Sequence, residues 1–193
     1  MKKKSLALVL ALALMVVGAV GGTLAWLTAK SDVVTNTFTT SNIKVELKET
    51  QGETVEGGRE FKMIPGYAIS KDPKARVLPG SEECFLFVKL DKAANFDNFL
   101  TYEMANDWTK LEGVTDTVYY REVLTADMDK AYSVLKNDQV TVKGDVTKEQ
   151  MNDMDAGKIA KPTLTITAYA FQLYKSAGVK FSAKEAWDNI TTK

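Results

Sequence analysis

The sequence predicts an all-β protein, an antiparallel sandwich with Greek-key or jelly-roll-like connections and two short helices at its periphery. Three features point there. Short runs in which apolar and polar residues alternate recur between turns marked by Gly and Pro. One run, Cys84 to Leu90, is apolar on both faces up to Lys89, as a strand in the middle of a sandwich must be. No period of about 20–50 residues recurs, which sets aside solenoids and propellers.

The 193 residues include 25 basic and 25 acidic side chains, no histidine and one cysteine. That length suits one domain, or two small ones. Without histidine there is no Ser-His-Asp triad, no Cys-His pair and no HExxH zinc site. A single cysteine excludes an intrachain disulfide framework, a Cys-rich zinc site and an iron–sulfur cluster. Zero net charge, with no basic block after Lys4, argues against nucleic acid as a partner.

The first element is a leader. Lys2, Lys3 and Lys4 precede an unbroken apolar run from Leu6 to Val17, and Gly18, Gly21 and Gly22 follow. This is the layout of a secretory signal, a short apolar helix ahead of a small-residue cleavage site. Thr23 and Ala25 supply the small residues, so cleavage is expected after Ala25, leaving Trp26 as the new N-terminus; Ala29 is the second choice. No charge falls between Ser5 and Ala29, so an uncleaved leader is long enough to span a bilayer as an anchor. Membrane contact is expected through an uncleaved leader only. Cleavage removes three lysines and no acid, and the remainder carries a net charge of −3.

Residues 26–41 form a candidate assembly arm ahead of a sandwich domain over 42–193. The arm is short on charge and mixes threonines with Val33, Val34 and Phe38, a composition of high β-propensity. An extended segment freed by cleavage either adds to the sheet edge of another subunit or folds back as the first strand of its own sandwich. Repeated head to tail, addition to a neighbour does not close and makes a filament.

Within the domain, Ile43, Val45 and Leu47 alternate with lysines and Glu46 in a first strand. Glu49 to Glu60 reads as a hairpin loop, Phe61 to Ile64 as a strand, and Pro65-Gly66, Asp72-Pro73 and Pro79-Gly80 as turns. Further strands are expected at Thr101–Leu111, Val118–Val123, Tyr132–Leu135 and Gln139–Val142, with turns at Gly113 and Asn137-Asp138. Thr147 to Gln150 and Ser182 to Glu185 are capping boxes opening two short helices, the second burying Ala186, Trp187 and Ile190. Thr163 to Leu173 is the longest strand, and the total comes to about eight to ten.

Candidate chemistry is sparse. Cys84 opens an apolar strand and reads as a small core residue. Asp127, Asp129, Asp153 and Asp155 lack the converging oxygens of a calcium loop. Tyr119, Tyr120, Tyr169 and Phe171 read as core or edge aromatics ahead of a ligand-stacking face. No catalytic residue, metal site or cofactor is expected.

Gly21-Gly22-Thr23-Leu24-Ala25-Trp26, then Ser31-Asp32, Asn36-Thr37-Phe38 and the strand Ile43 to Leu47, resemble the opening segment of the TasA/camelysin family. Ile64-Pro65-Gly66 with Lys71-Asp72, and Pro162 to Gln172, continue the likeness. The resemblance implies a jelly-roll-like sandwich of a Gram-positive bacterium, exported with a signal removed by a SipW-type peptidase. It implies a secreted structural subunit of biofilm-matrix or cell-surface fibres, with itself or related matrix proteins as partners. Camelysin relatives have been described as metalloproteases; in this chain a metal-dependent surface peptidase would have only carboxylates and water to work with. A glycan- or protein-binding module is the third expectation.

Overall fold

The computed structural model describes residues 42–55 and 58–192. The expected leader and arm lie outside them. Ser41–Lys193 form one compact unit, and it is mostly antiparallel strands.

The strands, in chain order, are β1 (Val45–Lys48), β2 (Glu53–Val55), β3 (Gly58–Glu60), β4 (Ala68–Ser70), β5 (Lys74–Val77), β6 (Cys84–Lys92) and β7 (Leu100–Met104). They continue with β8 (Thr109–Lys110), β9 (Val118–Val123), β10 (Tyr132–Ser133), β11 (Leu135–Val142), β12 (Leu164–Gln172), β13 (Tyr174–Ser176) and β14 (Val179–Lys180). Three α-helical segments accompany them: α1 (Phe96–Phe99), α2 (Lys148–Asp155) and α3 (Ala183–Thr191). A four-stranded sheet runs in the order β12-β6-β9-β8, and two three-stranded sheets run β1-β5-β10 and β4-β11-β7. β2 with β3, and β13 with β14, make two hairpins.

β6 is central, as its apolar run requires. It pairs with β12 over nine consecutive positions, Leu164↔Lys92 to Gln172↔Cys84, and with β9 on its other side. Side chains alternate across a strand, so each face of β6 meets a different core. Cys84, Leu86, Val88 and Leu90 enter the main core with Val77, Val140 and Val142 from the two three-stranded sheets and Val134 from the bend between β10 and β11. Phe85 and Phe87 enter a second core with Leu173, Ala186 and Trp187 beneath α3. Tyr119 and Tyr120 divide in the same way, one packed against each core.

Both expected capping boxes are closed. Gln150 N–H donates to the Thr147 hydroxyl at 3.2 Å while Thr147 N–H donates to the Gln150 side chain at 2.8 Å. Ser182 and Glu185 exchange the same bonds at 3.2 and 2.8 Å. α3 then lays Trp187 on Phe87 and Tyr169, with ring centroids 5.4 and 5.3 Å apart.

Several local expectations are corrected. Phe61 to Ile64 forms no ladder, because Pro65-Gly66 turns the chain at once, Tyr67 N–H donating to Ile64 O at 3.0 Å. Thr101–Leu111 is not one strand; a turn before Trp108 splits it into β7 and β8, which belong to different sheets. Asn137 and Asp138, at φ +55° and +53°, sit inside β11 as an irregularity where its register to β7 shifts, not as a turn between strands. Asx residues tolerate that left-handed backbone. Asp72-Pro73 is not a turn but part of a short link that carries the chain from β4 in one three-stranded sheet to β5 in the other. Asp72 instead clamps Thr50 and Gln51, accepting both N–H groups at 2.9 Å and the Thr50 hydroxyl at 2.6 Å. Burial pushes its carboxyl up, but those bonds together outweigh burial and hold it below the usual range. Strands β4 and β5, the hairpin β13–β14 and α1 were not foreseen. The count rises to fourteen strands and three α-helical segments among the described residues.

Trp187 is 3% exposed at the centre of the second core. Trp187→Ala is expected to cost about 3–5 kcal/mol in denaturant unfolding. Glu185 is held down to about 2 from an ordinary 4.5, first by Lys175 and then by Ser182. A depressed carboxylate stabilises the fold fully above its unfolded value and loses that contribution as pH falls through the folded one. The melting gap between the parent and Glu185→Gln is therefore expected to be present at neutral pH. It closes between about pH 4.5 and pH 2.

Candidate assembly edge

Among the described residues, the longest open feature of this fold is a strand edge made of backbone groups. β12 pairs with β6 along one edge, and along its other edge no ladder forms among the described residues. β1, which pairs with β5 alone, lies beside that open edge with Cα atoms within 8 Å and no backbone pairing between the two.

Sheet edges are ordinarily guarded by charge, Pro, bulges or shortness. β12 has none of these. From Pro162 to Tyr174 there is no charged residue, and the nine-residue pairing to β6 runs without a register shift. Its composition, Leu-Thr-Ile-Thr-Ala-Tyr-Ala-Phe-Gln, is strongly β-forming. Leu164, Ile166, Ala168 and Ala170 lean on the main core but stay only half-buried, as do Ile43, Val45 and Leu47 beside them. Among the described residues, two neighbouring strands thus present unpaired backbone above incompletely covered apolar side chains. Such an arrangement has the chemistry to pair with a further strand, whose main chain would complete the ladder and whose alternate side chains would cover the core.

Thr23, Ala25 and Trp26 of the expected cleavage site, and Val33, Val34 and Phe38 of the expected arm, lie outside the described residues. Cys84 is fully buried, and desolvation pushes its thiol up to about 12, the opposite of an activated nucleophile. Asp129 pairs with Arg76 at 2.9 Å and Asp153 with Lys158 at 2.9 Å. Among the described residues no three His, Cys, Asp or Glu side chains converge to hold a metal. Tyr169 and Phe171 face the second core, where Phe171 meets Phe181 edge-on at 5.1 Å.

One buried cluster had no signal in the sequence. The Arg121 guanidinium stacks 3.4 Å from the Tyr132 ring centroid, with Trp108 at 5.7 Å and Asp107 at 3.7 Å. Burial first, with Asp127 and Asp107, raises the Tyr132 hydroxyl, against the opposing charge of Arg121. Trp108 donates to Ser133 O at 2.9 Å, so the stack ties β8 and β9 to β10 across the main core. It is a cation held between aromatic rings, structural in effect.

Comparison with known proteins finds no matching family model, no matching curated protein and no matching solved structure.

Lysines at Thr165 and Thr167 would restore the missing guard. The double variant T165K/T167K is expected to cost the monomer no more than about 1 kcal/mol, because Thr167 is half-buried and stands opposite Lys89. It is expected to weaken association at this edge by about tenfold or more, read by concentration-dependent light scattering.

Proposed function

We propose that this protein is an exported, non-enzymatic structural subunit that assembles by strand addition into extracellular fibres of a biofilm matrix or cell surface. The single observation that supports the reading is the unguarded, nine-residue edge of β12 beside β1. A monomer gains nothing from leaving such an edge without charge, Pro or bulge, whereas a subunit that receives a strand requires it. The arm over residues 26–41 supplies that strand. Its threonines, Val33, Val34 and Phe38 suit an extended partner, and it precedes the domain directly.

The resemblance of residues 18–48 to the TasA/camelysin family agrees with this reading. With it come removal of the leader by a SipW-type peptidase, deposition outside the cell and jelly-roll-like connections between the sheets. The aromatics that would line a glycan-binding face, Tyr119, Tyr120, Tyr169 and Phe171, are taken up by the two cores.

Protein starting at Trp26 and protein starting at Asn42 separate the possibilities. Both are expected to melt cooperatively, since Ser41–Lys193 form a compact unit. The longer form is expected to grow into particles or filaments in light scattering and electron microscopy, and the shorter to stay monomeric. A longer form that never grows under any condition overturns the proposal.

A further inference from the structure

The large apolar side chains left exposed on the body are not scattered. Among the described residues they number five: Ile64 at 56%, Tyr67 at 66%, Leu124 at 41%, Tyr174 at 37% and Val179 at 51%. Scattered singly, such residues need no explanation; gathered in patches, they mark interaction sites.

Leu124, Tyr174 and Val179 gather at one end of the four-stranded sheet. There Gln172, Cys84 and Val123 stand in register across β12, β6 and β9. Just beyond that row, Leu173 N–H donates to Glu83 O at 2.9 Å, and Thr125 donates twice to the Glu83 carboxylate at 3.1 Å. Lys180, opposite Tyr174 in the β13–β14 hairpin, reaches Glu122 at 2.6 Å. The chain enters the body at this same end, because Glu82 N–H donates to Asn42 O at 3.3 Å.

Ile64 and Tyr67 stand at the opposite end, the Lys92 end of β6. Their turn is fastened to β11 by Gly66 N–H to Val142 O at 3.1 Å and Val142 N–H to Tyr67 O at 2.9 Å. Lys143 N–H donates to Phe99 O at 2.9 Å, and Lys143 Nζ donates to Asp97 O. Asp97 also holds Lys92 at 2.6 Å. About 30 Å of β-strand separates the two ends, from the nine residues of β6.

We infer that these two ends are the two halves of a head-to-tail contact between copies of this chain, with Leu124, Tyr174 and Val179 of one copy seated against Ile64 and Tyr67 of the next. The partner is a second copy because the chain preceding the body leaves from the first of these ends. A strand donated from there brings the donor's own end against its acceptor. The contact joins different surfaces, so it does not close on itself and repeats along a filament. This inference rests on the strand-addition reading and adds to it a contact between the folded bodies.

The test uses the chain starting at Trp26. One variant carries Leu124→Asp with Val179→Asp, the other Ile64→Asp with Tyr67→Asp. If either double variant melts early, Val179→Lys and Tyr67→Lys alone take its place. Each variant by itself is expected to grow at least about tenfold less than the parent at equal concentration. Mixed together, the two retain one intact end of each kind and are expected to form dimers and nothing longer, by light scattering coupled to size exclusion.

Growth of either variant at the parent's level, or long polymers from the mixture, overturns the end contact while leaving strand addition in place. Growth blocked by the end variants but untouched by T165K/T167K keeps the end contact and removes the strand-addition reading. A parent chain that never associates overturns both.

Discussion

The fold depends on a strand that is apolar on both faces. β6 cannot lie on a surface, and once it is central it needs a strand at each side and a cover above and below. β12 and β9 supply the sides, the two three-stranded sheets cover one face, and α3 covers the other. The second cover is short, so it is fixed by rings: Trp187 against Phe87 and Tyr169. Burying each large side chain contributes about 1.5–3 kcal/mol, which the many exposed ion pairs do not approach. The most sheltered pair, Lys71 with Glu49 at 2.9 Å, lies beneath the Phe61 ring and fastens the link after β4 to the end of β1.

Among the described residues, the same constraint leaves one edge of the sheet without a ladder. A nine-residue central strand demands a neighbour as long as itself, and β12 meets that demand on one edge. Its other edge then inherits a row of backbone groups of equal length. β1 is only four residues long and pairs elsewhere. Among the described residues, the strand that completes the core is thus the one whose outer edge stays unpaired.

Much of this was legible in the sequence where one physical signal dominated. β6 announced itself by a doubly apolar run, and β12 by its alternating threonines. The two helices were marked by Thr147/Gln150 and Ser182/Glu185, pairs whose side chains have few other uses at that spacing. What escaped were elements whose pattern is shorter than a pattern can be. Ala68–Ser70 and Lys74–Val77 are three and four residues long, and their pairing partners β11, β1 and β10 lie far along the chain. Thr101–Leu111 looked continuous because nothing local says that Leu100–Met104 and Thr109–Lys110 serve different sheets. Asn137-Asp138 has the composition of a turn, and the backbone there does turn left-handed, but the strand resumes in line. Of the candidate edge, the charge-free stretch from Pro162 to Tyr174 was readable; its place beside β1 is a long-range contact that no window of sequence contains.

Cys84 stands at the first position of β6, wholly enclosed. Its placement makes the lone sulfur a built-in clock. An alkylating reagent reaches it only when the central strand opens, so labelling counts openings of the most protected element and ignores fraying elsewhere. Because both faces of β6 are sealed by the body, the labelling rate gives, in a single number, how tightly the two cores hold the domain shut.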